Sequence, residues 1–328
     1  MTTRLITTTI LATLVAGQVA RADTNPLLSP STLPYHAPPF DKIQDSDYSP
    51  AIEAALTSHA AEVERIANDA APPSFENTIA ALERSGADLD RVVAVFHNIT
   101  QSNTDPALDA AKARIDPLLQ AHEDSIHLNP RLFARVKALY DQRAALTLDP
   151  KTHFLLEQTY KAFVHAGAAL SQADQMRLRG LNQTITKLQT TFQQELLAAT
   201  VSGAIVLDDP SQLGGLSPEE IQAAAAAGTA RQHPGKYVLP LRNTTQQPVL
   251  AKLTDRPLRA RILAASEQRG DVAGPNDLRG VVAQLAQLRA EKARLFGFAN
   301  FASYTLDNQM AKTPEAALKL MDSLVPGA

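Results

Sequence analysis

The chain carries eight histidines, His36, His59, His97, His122, His127, His153, His165 and His233, and their spacing decides what metal chemistry it can do. Hydrolysis by a zinc-bound water uses His-Glu-x-x-His on a helix. Residues four apart lie one above the other, so both imidazoles reach one metal while the Glu takes the water's proton. No two of these histidines are four apart. The nearest approach is His122-Glu123-Asp124-Ser125-Ile126-His127. A spacing of five turns the second imidazole about 140° from the first, against about 40° for four, so this pair cannot share a tetrahedral site on one straight helix. Leu128-Asn129-Pro130 also predicts that the helix stops beside His127. His153 and Glu157 do have ligand spacing, but nothing nearby supplies a third ligand, and such a pair reads as surface or core partners.

Other chemistries fail on single residues. Gly228 to Lys236 has the look of a phosphate loop, yet the pattern needs Gly at position 230, which is Ala230. There is no Gly-x-Ser-x-Gly elbow, and without cysteine there is no thiol nucleophile. Arg256, Arg259 and Arg261 could meet a substrate carboxylate, but such a cluster reads as a solvated helix face. Asp208-Asp209 before Pro210 reads as turn chemistry rather than a metal site. The sequence therefore nominates no catalytic, cofactor-binding or metal-ligating residue.

The elements that would position such groups are helices. With 328 residues, 45% of them hydrophobic, the chain can bury one large core or two ordinary ones. A net charge of −3, with Lys and Arg spread along the chain, gives no footprint for nucleic acid or an anionic membrane. Residues 1–22 read as an export signal. Arg4 supplies the charge, Leu5 to Ala16 the apolar run, and Ala20-Arg21-Ala22 the cleavage site. The run is too short for a span of about 20 apolar residues, and no other segment could cross a bilayer, so no membrane contact is expected after cleavage. Export to the periplasm follows, and with no thiols to bridge, stability there rests on packing. The sequons at Asn98, Asn182 and Asn243 are incidental in a bacterial source.

Residues 23–47 are Pro-rich and read as an extended segment, with a helical domain over 48–328. Ser49-Pro50 predicts a helix start, and Ile52, Leu56, His59, Val63 and Ile66 then form a core-facing stripe. In Pro73-Ser74-Phe75-Glu76-Asn77-Thr78-Ile79, Ser74 can cap a short amphipathic helix whose Phe75, Ile79 and Leu82 share a face, and Ser85-Gly86 closes it. Further stripes run through Leu89, Val92, Val93 and Phe96, and through Leu108, Ile115, Leu119 and Ile126. Asn129-Pro130 and Asp149-Pro150 start two more helices, and the longest begins at Ser171. The period then changes: 203–207 and 236–241 read as a small strand pair, flanking an Ala-rich helix that Ser217-Pro218-Glu219-Glu220 opens with a capping box. Helices resume from Pro248, notably over 277–295, and Thr313-Pro314-Glu315 starts a last one with Leu318, Met321 and Leu324.

Five ordered blocks carry a resemblance. They are Leu33-Pro34-Tyr35 with Pro38-Pro39-Phe40-Asp41; Phe75-Glu76-Asn77-Thr78; Asn129 to Tyr140; Asn243-Thr244-Thr245-Gln246-Gln247-Pro248; and Ala286-Gln287-Leu288-Arg289-Ala290. From Asn25 onward the chain resembles the N-terminal half of zinc peptidyl-dipeptidases, the Dcp branch of the thimet oligopeptidase and oligopeptidase A family. The Asn243–Pro248 block points to the dipeptide-releasing branch, although its local role reads as a polar turn before a helix. The resemblance implies a mainly α fold forming one wall of a peptide channel. It also implies zinc only in a full-length parent, whose catalytic positions lie beyond Ala328. The expectation is thus a truncated peptidyl-dipeptidase that is inactive alone and meets short peptides through the missing catalytic half. The alternatives are a non-enzymatic periplasmic helical binding or scaffold protein, or one half of a split enzyme whose catalytic half is encoded separately.

Overall fold

The computed structural model describes residues 25–327, so the export signal read in residues 1–22 lies outside the described residues. The chain is mainly helical with a two-stranded antiparallel sheet, as the sequence predicts. The described residues divide into two compact units, one of residues 25–186 with 292–327 and one of residues 187–291. No helix among the described residues is long and apolar enough to cross a membrane.

In the first unit, Leu27 is buried and its carbonyl accepts from Arg91 Nη1 at 2.8 Å, which ties the Pro-rich segment to the helices. Helix α1 spans Asp45–Ala67 and so begins before the Ser49-Pro50 start read from sequence. Gln44 and Asp47 form a reciprocal cap, with Gln44 N donating to Asp47 Oδ2 at 2.8 Å. Pro50 therefore sits inside the helix, in its second turn, where it has no N–H to donate to the preceding turn. The Ser74 cap holds as expected, but the first turn it opens, Phe75–Ala80, is a π-helix that passes into α2, Ala81–Arg84. Gly86 then adopts a left-handed conformation, φ 77°, before α3, Ala87–Ser102.

Asx caps start the next three helices, the last two where Asn129-Pro130 and Asp149-Pro150 predict: Asp105 for α4, Pro106–His127; Asn129 for α5, Pro130–Asp141; and Asp149 for α6, Pro150–His165. Each is followed by proline, whose fixed φ suits a first turn and whose missing N–H costs nothing there. One core joins Ile52, Val92, Phe96, Leu108 and Ile115 from α1, α3 and α4. A second joins Val63, Ile79, Leu132, Val136, Leu156 and Phe163, with Phe75 and Leu82 packed against it. The Phe75/Ile79/Leu82 face thus lands on one cluster, as its spacing requires.

Helix α7 spans Gln172–Ser202. In the second unit β1, Ile205–Leu207, pairs antiparallel with β2, Tyr237–Leu239, in the register Ile205↔Leu239, Val206↔Val238, Leu207↔Tyr237. Between the strands, Ser217 and Glu220 form the predicted capping box of α8, Pro218–Ala230. Gly228 near its end lets the chain fold back, because a Cβ there would lie 2.1 Å from the Lys236 carbonyl oxygen. The Asn243–Pro248 block is not the turn read from sequence. It forms the first turns of α9, Asn243–Lys252, where Gln246 is buried and its backbone N–H donates to the Arg242 carbonyl at 2.7 Å. Helix α10, Arg256–Glu267, covers a core of Leu213, Leu241, Leu253, Leu258 and Ile262.

Helix α11 spans Arg279–Leu295. Back in the first unit, α12, Phe301–Leu306, is tied to α6 through Tyr304. Its hydroxyl donates to the His165 carbonyl at 2.9 Å, and the two rings stack at 4.2 Å. The last helix, α13, Pro314–Leu324, buries no residue.

Candidate functional site

Six of the eight histidines are held in separate local contacts. His122 on α4 points its Nε2 at His59 Nδ1 on α1, 3.0 Å away. His127, one turn further, lies 3.2 Å from Glu123 Oε2 and packs edge-on against Phe163. His97 faces Asp116, His36 contacts the Ser31 carbonyl, and His165 is held by Tyr304. Glu157, the candidate partner of His153, instead faces Arg143 at 3.5 Å. Among the described residues no group of three or more His, Asp or Glu side chains is placed to hold a metal ion.

The remaining candidates resolve into local structure. Arg259 Nη1 donates to the Leu253 and Thr254 carbonyls, and Arg261 Nη2 to the Val206 carbonyl, so two of the three clustered arginines spend their guanidinium groups on backbone. Asp209 caps the 3-10 turn Pro210–Leu213 through Ser211, which holds its carboxyl below the usual range, while Asp208 pairs with Lys236 at 3.0 Å. The stretch from Gly228 to Lys236 is a helix end, with His233 N bonded to the Gly228 carbonyl.

Beside His59, one of the two imidazoles that do meet, the first unit forms a cleft of about 340 Å³ lined by His59, Glu83, Ser85, Asp90, Glu123 and His127. Burial, and then the charge of His59, pull His122 below the usual imidazole range. Burial pulls His127 the same way, but the Glu123 hydrogen bond and charge outweigh it and raise His127. Glu123 is held down, first by its hydrogen bond from His127. The sequence reading placed His59 in a core stripe. It is half-buried instead, and both ring nitrogens are bonded.

Two polar networks escaped the sequence reading. Arg135 on α5 is buried, and its guanidinium reaches the Asp69 carbonyl at 2.8 Å, the Ala71 carbonyl at 3.1 Å, Asn77 Oδ1 at 3.0 Å and Thr78 Oγ1 at 3.3 Å. Asn77 also accepts from Ser74 N, and Thr78, fully buried, donates to Asn77 Oδ1. Two of the sequence blocks, Phe75–Thr78 and Asn129–Tyr140, are thus one structural device. The signal was a single cation within the apolar spacing Leu132, Val136, Leu139. The other network centres on buried Asp124, which accepts from Asn182 at 2.7 Å and Gln120 at 2.9 Å, while Lys292 donates to Asn182 at 2.8 Å. Burial raises the Asp124 carboxyl and lowers the Lys292 ammonium. These networks place structural polar groups; neither frames a reacting atom.

Residues 249–328 match the family profile described as Peptidase family M3. The chain is 43% identical over 305 residues to the dipeptidyl carboxypeptidase of Salmonella typhimurium, an alignment covering 93% of this chain and 45% of that protein. It is 42% identical over 304 residues to the dipeptidyl carboxypeptidase of Escherichia coli K12, again covering 93% of this chain and 45% of the relative. Oligopeptidase A of E. coli K12 is 27% identical over 309 residues, with the same two shares covered. The chain therefore spans somewhat under half the length of these relatives.

Proposed function

We propose that this chain, a dipeptidyl carboxypeptidase homologue of peptidase family M3, supplies the non-catalytic N-terminal portion of a zinc peptidyl-dipeptidase and forms one wall of its peptide channel. The observation that carries the reading is the conjunction of 43% identity over 93% of the chain with a sequence that has no two histidines four residues apart. Zinc, which the family uses, does not fit the described residues: His122 and His127 are committed to different partners, and no third ligand adjoins either. No catalytic step is assigned to any residue of this chain.

A second observation supports an unfinished surface. On α13, Leu318, Leu320, Met321 and Leu324 are all at least half exposed, and Val325 beyond it is 69% exposed. Monomeric soluble proteins rarely leave contiguous apolar patches of this kind uncovered. The reading assigns this face to the polypeptide corresponding to the rest of the relatives, with short peptides as the substrate of the assembled enzyme. Met1–Ala22 supports delivery to the periplasm.

The test is dipeptide release from a blocked short peptide by purified residues 23–328 with zinc supplied. No release is expected from the chain alone, with release appearing when the complementary portion of a dipeptidyl carboxypeptidase is added. Robust zinc-dependent release by the chain alone would overturn the assignment.

A further inference from the structure

The seam where α1, the Ser85–Gly86 corner and α4 meet contains a hydrogen-bond chain whose direction is fixed. Ser85 Oγ donates to the Leu82 carbonyl at 2.7 Å. Its one proton is therefore committed, and toward His59 Nε2, 3.2 Å away, it can only accept. Neutral His59 then carries its hydrogen on Nε2 and a lone pair on Nδ1. It follows that His122 is the donor in the 3.0 Å bond between His122 Nε2 and His59 Nδ1. The chain of donors runs from His122 to His59 to Ser85 to the Leu82 carbonyl.

The surroundings hold the His59 ring in place. A Cβ on Gly86 would lie 2.8 Å from His59 Cε1, so glycine is what lets the ring rest on the corner. The Gly86 amide donates to Glu62 Oε2 at 2.8 Å, which anchors the corner to α1. One proton can enter the pair on His122 Nδ1 with no donor reversed. A second can go only to His59 Nδ1, the acceptor, which sets two N–H groups and two positive charges against each other at 3.0 Å.

We propose that His59 and His122 form an acid-operated latch between α1 and α4, closed while the pair holds at most one proton and opened when it holds two. The charged and titratable groups facing it are Glu62 from α1, Glu83 from α2, Asp90 from α3, and Glu123 and His127 from α4; α6 contributes the uncharged Thr159, Ala162 and Phe163. Glu62 accepts from the Gly86 amide, and Glu123 faces His127. These carboxylates set the pH at which the latch opens. The device acts on the helical scaffold and does not depend on the peptidase reading.

The chain has no cysteine, so Ala60→Cys on α1 and Ser125→Cys on α4, both exposed, give unique sites for a pair of spin labels. The label separation is expected to lengthen between about pH 7.5 and about pH 4.5. His122→Gln keeps an amide N–H for His59 Nδ1 but cannot be protonated, and it should hold the separation constant over that range. Nitrogen-15 spectra of the unlabelled chain at the higher pH should show the Nε2–H tautomer at both residues. An Nδ1–H tautomer at His59, or separations that change in parallel in the two proteins, overturns the proposal. Should His122→Gln fail to fold, the tautomer of the unaltered chain decides by itself.

Discussion

Replacing Arg135 by methionine tests whether the Phe75–Thr78 turn is held from outside. The guanidinium is 8% exposed and serves four acceptors, the Asp69 and Ala71 carbonyls, Asn77 Oδ1 and Thr78 Oγ1, with Asp69 Oδ2 at 3.5 Å. A hydrogen bond to a charged group contributes roughly 1.5–3 kcal/mol net, and breaking a buried ionic network by removing one member costs about 3–5 kcal/mol. The lower end applies. Ala71 is exposed and the Asp69 side chain is 33% exposed, so water can replace the lost donor at the loop, while Asn77 Oδ1 keeps its bonds from Ser74 N and Thr78. The expected loss is about 3 kcal/mol, on the order of a hundredfold in the folding constant. Because the chain has no tryptophan, urea unfolding is best followed by circular dichroism, with a lower midpoint and an unchanged slope. Arg135→Lys keeps the charge but not the planar fork, and should recover less than half of the loss. A double-mutant cycle with Asn77→Ala should show a coupling of at least about 1 kcal/mol. A loss below about 1 kcal/mol for Arg135→Met, with no coupling to Asn77, would refute the view that α5 pins this turn.

Three further outcomes are expected. Gly86→Ala must place a Cβ at φ 77° and 2.8 Å from the His59 ring, and should lower stability by about 1–3 kcal/mol in thermal melts; an unchanged melting temperature contradicts the close approach. Glu123→Gln should matter most between pH 4.5 and pH 6.5, the ordinary values of the two partners. A raised His127 stabilises below 6.5 and loses that contribution as pH rises through its folded value, whereas a depressed Glu123 stabilises above 4.5 and loses it as pH falls. With the Glu123 side chain 59% exposed, the difference stays under about 1 kcal/mol, and a pH-independent difference in denaturation midpoint argues against the pair. Changing Leu318, Met321 and Leu324 together to lysine should cut binding of an apolar dye and reduce aggregation without moving the main unfolding transition; undiminished dye binding would place the exposed surface elsewhere.

Local chemistry was legible in the sequence wherever it is settled within a few residues. Asn129, Asp149, Ser217 and Thr313 cap the helices they precede, because a side-chain oxygen and the free amides of the first turn are covalent near-neighbours. The strand pair was readable from its β-prone residues bounded by turns. Where the reading missed, a longer-range or competing contact decided. Gln44 and Asp47 start α1 ahead of the Pro50 signal, and the Asn243–Pro248 block joins a helix with Gln246 buried in it.

By itself the sequence determined a mainly helical chain, its order of elements, its resemblance to the peptidyl-dipeptidases and the lack of any helical His-Glu-x-x-His, since these depend on residue type and on spacings shorter than one turn or two. Only the tertiary structure decided which polar groups meet. Arg135 reaches Asn77 across 58 residues, His122 reaches His59 across 63, and Lys292 reaches Asn182 across 110. The reason is physical. A buried polar group must find a partner, but which partner arrives depends on the packing of distant apolar stripes, and no local propensity records that choice.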